Sequence, residues 1–224
     1  MIAIQPPAYF PPLEYTALIQ HVDHFILADT FRFRRGSFQD RSKLRNAQGG
    51  HWITIPLFGH PEGAPIATVD IETGGRWREK HWRSFMYDYR TTMYFEFYED
   101  RFRPFFDVEW SNLADCTCRS VALQTALFGI DTELTRASEL DGAPETMAEI
   151  VSIVEAETLV VPKGDADVEV PSTTVTSFEY DPPTYRQNFE GFEGGMSGMD
   201  LLFNYGREAP RLLADGISEP VSSS

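Results

Sequence analysis

The sequence predicts an α/β fold: a mainly parallel sheet with flanking helices, plus a helical segment rich in aromatic residues. Two short apolar runs, Phe25–Asp29 and Thr158–Val161, carry this prediction. Strands buried on both faces of a parallel sheet are continuously apolar, whereas strands with one exposed face alternate with polar residues. The first run also completes a strand–helix–strand unit, which is the repeating unit of α/β folds.

The first βαβ unit occupies the first thirty residues. Met1–Gln5 is short and apolar and is predicted to form its first strand. The proline-rich segment Gln5–Pro12 that follows cannot be regular helix or central strand. Leu13–His21 has apolar residues at helical spacing, and Phe25–Asp29 forms the second strand. The proline-rich loop therefore lies at the carboxyl edge of the sheet, where open α/β sheets bind ligands.

Periodicity and turn residues assign the rest of the chain. The predicted strands or ribbons are Thr30–Phe38, Trp52–Leu57, Ala67–Ile71, Glu133–Ala137, Thr158–Val161 and Thr173–Phe178. The predicted helices are Trp77–Thr91, Phe95–Trp110, Leu113–Gly129, Thr146–Ala156 and Asp200–Tyr205. Asn46–Gly50 is predicted to be a turn, and Pro162–Pro171 and Gly191–Gly198 to be loops.

Length and composition favour one cytoplasmic domain. The 224 residues, 42% of them hydrophobic, suit a single domain over residues 1–215, followed by a disordered tail over 216–224. The first twenty residues lack the features of a signal peptide, and no apolar run is long enough for a membrane span. Cys116 and Cys118 are two positions apart in a predicted helix and point to different faces, so we expect free thiols.

The formal net charge is −15, which argues against general nucleic-acid binding. Residues 1–110 are nearly balanced, with 13 Lys and Arg against 14 Asp and Glu, while residues 111–224 have 6 against 20. One basic cluster interrupts this acidic background, and its members are Arg32, Arg34, Arg35, Arg41, Lys43 and Arg45. It either binds an anionic small molecule or pairs with the surplus carboxylates of the protein.

Familiar catalytic signatures are absent from the sequence: there is no P-loop, Rossmann glycine fingerprint, nucleophile elbow or zinc-type Cys/His spacing. No metal site and no particular cofactor is therefore indicated. His81 either faces a cleft as a proton carrier or belongs to an amphipathic helix that buries Trp77, Ser84 and Phe85 and keeps its charges in water. Gly194-Gly195-Met196-Ser197 precedes a helix, so either its backbone amides bind an anion or Ser197 caps that helix.

Several blocks occur in order over nearly the whole chain and resemble the WbqC-like protein family. They are Pro7–Tyr15, Asp29, Gly36–Arg41, Trp77 with His81–Ser84, Tyr89, Tyr94-Phe95, Tyr185–Gln187, Phe192, Ser197 and Asp200–Glu208. The Ala-Tyr-aromatic-Pro-Pro variant at the start resembles the form found in Bacteroides-type bacteria. The resemblance implies a role associated with bacterial surface-polysaccharide (O-antigen or lipopolysaccharide) gene clusters.

The chain departs from the family pattern in two places. Where many members begin His-Gln-Pro-Asn-Tyr, this chain has Gln5-Pro6-Pro7-Ala8-Tyr9, and Gln cannot exchange a proton as His does. Arg32 stands where a Gln is usual, which strengthens the anion-site interpretation. Two hypotheses follow: an enzyme that transfers a group on a nucleotide-activated or phosphorylated sugar, or a non-catalytic binding or scaffold protein of the same pathway.

These patterns predict one site. Its catalytic residues would be Asp29, His81 and Asp200. Its ligand-binding residues would be Gln5, Tyr9, Arg32, Ser37, Gln39, Arg41, Tyr89, Tyr185, Gln187, Ser197 and Asn204. Six of them are expected to line a cleft at the carboxyl ends of the first two strands: Gln5, Tyr9, Asp29, Arg32, Gln39 and Arg41. The C-terminal block, Tyr185–Gln187 with Ser197–Asn204, is expected to return to this site and bury Asp200 near the basic cluster. The alternative leaves Asp200 on an exposed helix face.

Overall fold

A computed structural model describes residues 1–165 and 168–218. Within them, seven strands form a five-stranded sheet of order β5-β2-β1-β6-β7 and a separate β3–β4 hairpin. In chain order the strands are β1 (Ile2–Gln5), β2 (His24–Leu27), β3 (Arg41–Asn46), β4 (Gly49–Thr54), β5 (Glu133–Arg136), β6 (Thr158–Pro162) and β7 (Thr174–Phe178). All pairings in the larger sheet are parallel, which confirms the predicted fold class.

In the described part of the chain, eight α-helices accompany the strands. They are α1 (Leu13–His21), α2 (Trp77–Tyr89), α3 (Phe95–Phe102), α4 (Pro104–Asp107), α5 (Leu113–Phe128), α6 (Met147–Ile153), α7 (Gly198–Tyr205) and α8 (Ala209–Ala214). No helix among the described residues is long and apolar enough to cross a membrane.

The central strands are buried on both faces, as their apolar sequences predict. Ala3 and Phe25 point into the larger core, while Ile4 and Ile26 point into a smaller core on the opposite face. The larger core continues away from the sheet into an aromatic cluster formed by α2, α3, α4 and α7. Phe10 is at its centre and contacts Phe85, Phe102, Phe105 and Phe106 with ring centroids 4.9–5.9 Å apart.

Two predicted elements differ in the aromatic segment and the region before it. The single helix expected over Phe95–Trp110 is broken into α3 and α4 at Pro104, which has no N–H to donate and begins α4 at a favourable first position. The strand expected over Ala67–Ile71 is instead a short 3₁₀ helix, Ile66–Thr68, followed by isolated bridges at Asp70 and Ile71.

The largest correction concerns the basic cluster. Thr30–Phe38, predicted as a strand or ribbon, is irregular: the Phe33 amide donates to Ala64 O at 2.8 Å instead of joining a ladder. The ribbon lies later in the chain, as the β3–β4 hairpin, in which Arg41 pairs with Thr54 and Asn46 with Gly49. The segment in which Phe alternates with Arg is therefore irregular and leads into the hairpin. The strand begins at Arg41, where Arg41, Lys43 and Arg45 alternate with Ser42 and Leu44.

Cys116 and Cys118 are both free and buried. Burial raises the pKa of both thiols, for Cys118 to about 12, so they remain protonated core residues. Near the C-terminus, Gly216–Ser218 are hydrogen-bonded to the segment after β7, with Asp181 N donating to Gly216 O at 2.9 Å. The remainder of the tail predicted from residue 216, residues 219–224, lies outside the described residues.

Candidate functional site

Asp200 is a fully buried member of the predicted site. It is the third residue of α7, and none of its surface is exposed. Its Oδ2 accepts hydrogen bonds from the Tyr185 hydroxyl at 2.6 Å and from Gln187 Nε2 at 2.9 Å. Burial raises the pKa of Asp200 above its ordinary value, and the hydrogen bonds from Tyr185 and Gln187 oppose that shift. The exposed-helix alternative for Asp200 is thus excluded.

Arg45 connects this carboxyl group to the hairpin. Its Nε donates to Gln187 Oε1 at 3.2 Å, its backbone amide donates to the Tyr89 hydroxyl at 2.9 Å, and its Nη2 donates to Glu190 O at 2.7 Å. Arg45 is itself buried, and Gln187 bridges it to Asp200 in place of a direct ion pair. A buried cation and a buried carboxyl group thus share neutral partners, so that each is hydrogen-bonded but the two charges do not touch.

One face of the hairpin is basic and aromatic; we call it the hairpin face, consisting of Arg41, Lys43, Arg45 and Trp52. Alternation along β3 brings its three cations to one side, and Trp52 is the cross-strand partner of Lys43. The Arg41 guanidinium lies 4.0 Å from the Trp52 ring centroid, and Phe38 packs edge-on against the same ring at 5.1 Å. Trp52 still keeps 41% of its surface exposed.

The segment of residues 187–196 covers one end of the hairpin face. Lys43 Nζ donates to Gly194 O at 3.4 Å, and Lys43 O accepts from Ser197 N at 2.8 Å. Gly50 leaves room for the ends of two flexible side chains, since a Cβ there would lie 2.4 Å from Lys43 Cε and 2.8 Å from Met196 Cε. Two open cavities of about 670 and 570 Å³ border this segment and share the stretch from Arg186 to Asn188.

The C-terminal block reaches this position by packing on the N-terminal loop. Pro12 forms a bridge with Ser197, and Gly198 N donates to Pro11 O at 2.8 Å. The Ser197 side chain accepts from Met199 N at 3.3 Å, which is the helix-capping interaction. On the next turn of α7, Asn204 Nδ2 donates to Asp200 O at 2.7 Å, and Asn204 also lines the 570 Å³ cavity.

Ser37 and Gln39 shape the turn that leads into β3. The Ser37 hydroxyl donates to Arg34 O at 2.7 Å, and Gln39 Oε1 accepts from Arg34 N at 2.8 Å. Gly36 at the tip has a φ of +78°, which favours glycine. Arg41 Nη2 donates to Gly36 O, while Arg41 Nε is buried without a hydrogen-bond partner in the described chain. This turn therefore holds Arg41 in place on Trp52.

Tyr9 and His81 form a buried pair outside the hairpin face. The Tyr9 hydroxyl and His81 Nδ1 are 3.0 Å apart, and both side chains pack in the aromatic core. Burial lowers the pKa of His81 to about 4, although a hydrogen bond to the Thr54 backbone opposes the shift. His81 is therefore a neutral core residue at physiological pH.

Asp29 forms a third, separate cluster at the carboxyl edge of the sheet. Its Oδ2 accepts from Arg136 Nε at 2.9 Å and from the Ser138 hydroxyl at 2.6 Å, and its Oδ1 accepts from Ser138 N at 2.9 Å. Both oxygens are thus occupied by residues at and just after the end of β5. Asp29 ties the neighbouring strands β2 and β5 together, and this arrangement accounts fully for its burial.

The predicted site residues accordingly fall into several groups. Tyr89, Tyr185, Gln187, Ser197, Asp200 and Asn204 lie together around α7. Ser37 and Gln39 lie in the turn before β3, and Arg41 is the first residue of that strand. Tyr9 pairs with His81, and Asp29 with Arg136. Gln5 ends β1 half-buried, and Arg32 lies 3.4 Å from Glu145. The six residues assigned to one cleft thus have different immediate partners, and a shared ligand for them stays a prediction.

Sequence reasoning did not select Lys43, Arg45 or Trp52 individually as site residues, although both cations were within the basic cluster. Their alternation with Ser42 and Leu44 was the available signal for a strand with one charged face. Sequence reasoning also missed a pair between His51 and Asp88, in which His51 Nε2 and Asp88 Oδ2 are 2.7 Å apart. Within the described residues, no group of three His, Cys, Asp or Glu side chains is arranged to hold a metal ion.

The molecule is an α/β protein with a parallel sheet, and its C-terminal block packs against a basic hairpin. Within that class, the chain belongs to the WbqC-like protein family, whose model matches residues 5–212. It is similar to a Mycobacterium tuberculosis protein named Uncharacterized protein Rv1507c, with 29% identity over 223 residues, covering 95% of this chain and 96% of that protein. No solved structure matches the chain.

Proposed function

We propose that the protein is a cytoplasmic enzyme of bacterial surface-polysaccharide (O-antigen or lipopolysaccharide) biosynthesis. It would transfer a group on a nucleotide-activated or phosphorylated sugar bound at the hairpin face. Membership of the WbqC-like family supports the pathway through the association of that family with surface-polysaccharide gene clusters. The anionic ligand class rests on the residues of the hairpin face.

One observation carries the ligand class: the Arg41 guanidinium lies on the exposed Trp52 ring, beside Lys43. A guanidinium offers several N–H donors to phosphate oxygens, and an adjacent ammonium adds charge. An exposed indole offers an apolar surface on which a sugar ring or a base can pack. These cations occur in a chain of net charge −15, so an anion meets local attraction at this face against a repulsive background.

Asp200 would act as a positioning residue for Gln187 and Arg45. Asp200 fixes Gln187, and Gln187 fixes the buried Arg45 guanidinium at the inner end of the hairpin face. The same carboxyl group accepts from Tyr185, which lines the 670 Å³ cavity. In this proposal, Arg41 and Lys43 bind the phosphate, and Trp52 packs on the ring of the sugar or base. Asp200, through Gln187, holds the segment of residues 187–196 in place over the hairpin face.

A non-catalytic ligand-binding or scaffold role in the same pathway is the second candidate. The observation that favours it is the burial of all three predicted catalytic side chains: Asp29, His81 and Asp200 expose 0%, 5% and 0% of their surface. Buried and hydrogen-bonded groups contact a substrate only after a rearrangement. Ligand binding without turnover of the bound sugar would support this second role.

Isothermal titration with UDP-glucose, UDP, glucose 1-phosphate and glucose tests the proposal. We expect the phosphorylated compounds to bind and neutral glucose to bind much more weakly. Arg41→Ala should weaken binding about tenfold or more, since a charged hydrogen bond contributes about 1.5–3 kcal/mol. Arg119→Ala, at an exposed arginine of α5, is the matched control and should leave binding unchanged. Equal affinity of the Arg41→Ala variant and the wild type would contradict the proposal.

A further inference from the structure

A second basic cavity lies away from the hairpin face, between the first half of α2 and the α3–α4 junction. Its volume is about 510 Å³, and four arginines contribute to its lining: Arg76, Arg78, Arg83 and Arg103. Trp82 and Phe106 supply apolar wall, and the Arg103 guanidinium lies 4.9 Å from the Trp82 ring centroid. A concave site of this volume, with convergent charged groups and an aromatic wall, is suited to a small molecule.

The four arginines are arranged in two pairs, one at the Glu79 carboxylate and one at the carboxylate and backbone oxygens of Asp107. Glu79 lies between the first pair, with its Oε2 2.6 Å from Arg76 Nη2 and 3.9 Å from Arg83 Nη2. Asp107 lies between the second pair. Its Oδ1 is 3.3 Å from Arg103 Nη2, and its backbone oxygen accepts from Arg78 Nη1 at 3.2 Å. Arg78 has two further partners: its Nη1 donates to Val108 O at 2.6 Å, and its Nη2 lies 3.8 Å from Glu109 Oε1. The cavity thus contains two separate positions, each with two guanidinium groups.

The ion pairs of Arg76, Arg83 and Arg103 are weak enough to be replaced. The side chains of Arg76, Glu79, Arg83, Arg103 and Asp107 are between 47% and 72% exposed, and exposed ion pairs contribute little to stability. The four arginines also outnumber the two carboxylates of the lining. A phosphate group, which has more acceptor oxygens and more charge than a carboxylate, would compete well at each position.

From this arrangement we propose that the cavity binds a small molecule carrying two phosphate groups. One phosphate would contact Arg76 and Arg83, the other would contact Arg78 and Arg103, and the rest of the ligand would pack towards Trp82. Glu79 would act as an internal competitor that sets the affinity. The site shares no residue with the hairpin face, so it stands or falls independently of the function proposed above.

Titration of the full chain with inorganic pyrophosphate, at fixed ionic strength, tests this proposal. Pyrophosphate should bind at least tenfold more tightly than inorganic phosphate, which can occupy one position only. Arg83→Ala and Arg103→Ala should each weaken pyrophosphate binding about tenfold. Glu79→Gln should strengthen it severalfold, because the competing charge is gone while the side chain keeps its shape. Arg101→Ala is the matched control on α3, since Arg101 is exposed and does not line the cavity.

Arg41→Ala separates the two sites. If it abolishes pyrophosphate binding while Arg83→Ala does not, pyrophosphate binds at the hairpin face and this proposal is wrong. Absence of binding at millimolar pyrophosphate, or equal affinity for phosphate and pyrophosphate, would also overturn it. Arg83 projects from α2 with a 57% exposed side chain, so its replacement should leave the melting temperature unchanged and make a loss of binding interpretable.

Discussion

The carboxyl edge of the sheet and the helical side of the molecule bury titratable groups in different ways. At the sheet edge, Asp29 contacts a cation directly, and both of its oxygens accept hydrogen bonds from Arg136 and Ser138. On the helical side, Asp200 and His81 are buried with neutral partners only, and burial shifts the pKa of both away from the charged form. A buried carboxylate that is fully paired, such as Asp29, indicates a structural role. The burial of a titratable group without a charged partner, such as Asp200 or His81, needs a further explanation.

The largest expected effect is at the sheet edge. Asp29→Ala leaves the Arg136 guanidinium without its buried partner and breaks the connection between β2 and β5, so we expect a loss of about 3–5 kcal/mol in the free energy of unfolding. Urea denaturation at pH 7 measures this loss. Asp115→Ala is a matched control, because Asp115 pairs with the same arginine but is exposed. A loss below about 1 kcal/mol for Asp29→Ala would contradict the structural role.

His81 should give the largest pH dependence on the helical side. Because its pKa is lowered from 6.5 to about 4, the unfolded chain takes up a proton before the folded chain does. Its contribution is fully present above pH 6.5 and is lost as the pH falls to about 4, by about 3 kcal/mol in total. His81→Gln should flatten the stability profile in this interval. The same acid loss in wild type and variant would assign it to other groups.

Asp200→Asn should have the smallest effect and the opposite pH dependence. Because burial raises its pKa, the contribution of Asp200 is fully present below its ordinary pKa of 3.8 and is lost as the pH rises through the higher folded-state value. Asn resembles the protonated carboxyl group, so the destabilisation by Asp200→Asn should be about 1–2 kcal/mol in acid and smaller at neutral pH. Unfolding curves at several pH values measure it. A difference that grows with pH would show that Asp200 is stabilised as the anion.

The sheet could be predicted from the sequence because its strands are apolar on both faces, as in Phe25–Leu27 and Thr158–Val161. The hairpin could not be placed as easily. Its first strand consists of alternating charged and small or apolar residues, and the neighbouring Phe–Arg alternation gives the same pattern without forming a ladder. Local periodicity identifies a pattern, but tertiary contacts such as Phe33 to Ala64 decide whether it becomes a strand.

The site was predicted unevenly for a similar reason. Residues on one helix or in one turn, such as Ser197 and Asp200, are close in sequence and therefore close in space. The link from Arg45 through Gln187 to Asp200 joins positions more than a hundred residues apart, and no local pattern encodes that contact. Residue type alone also could not show that Asp29 pairs with a cation whereas Asp200 does not. That difference depends on Arg136, which belongs to β5.

The strand order also has a consequence for how the chain folds during its synthesis. β1 is the central strand, yet Ile2 pairs on one side with His24 and on the other with Leu159. At roughly 5–20 residues per second, a ribosome needs on the order of 10–30 s to reach β6 after making β1. Throughout that interval one edge of an apolar strand lacks its final neighbour, so the nascent chain has an unprotected β-edge for longer than most elementary folding steps take.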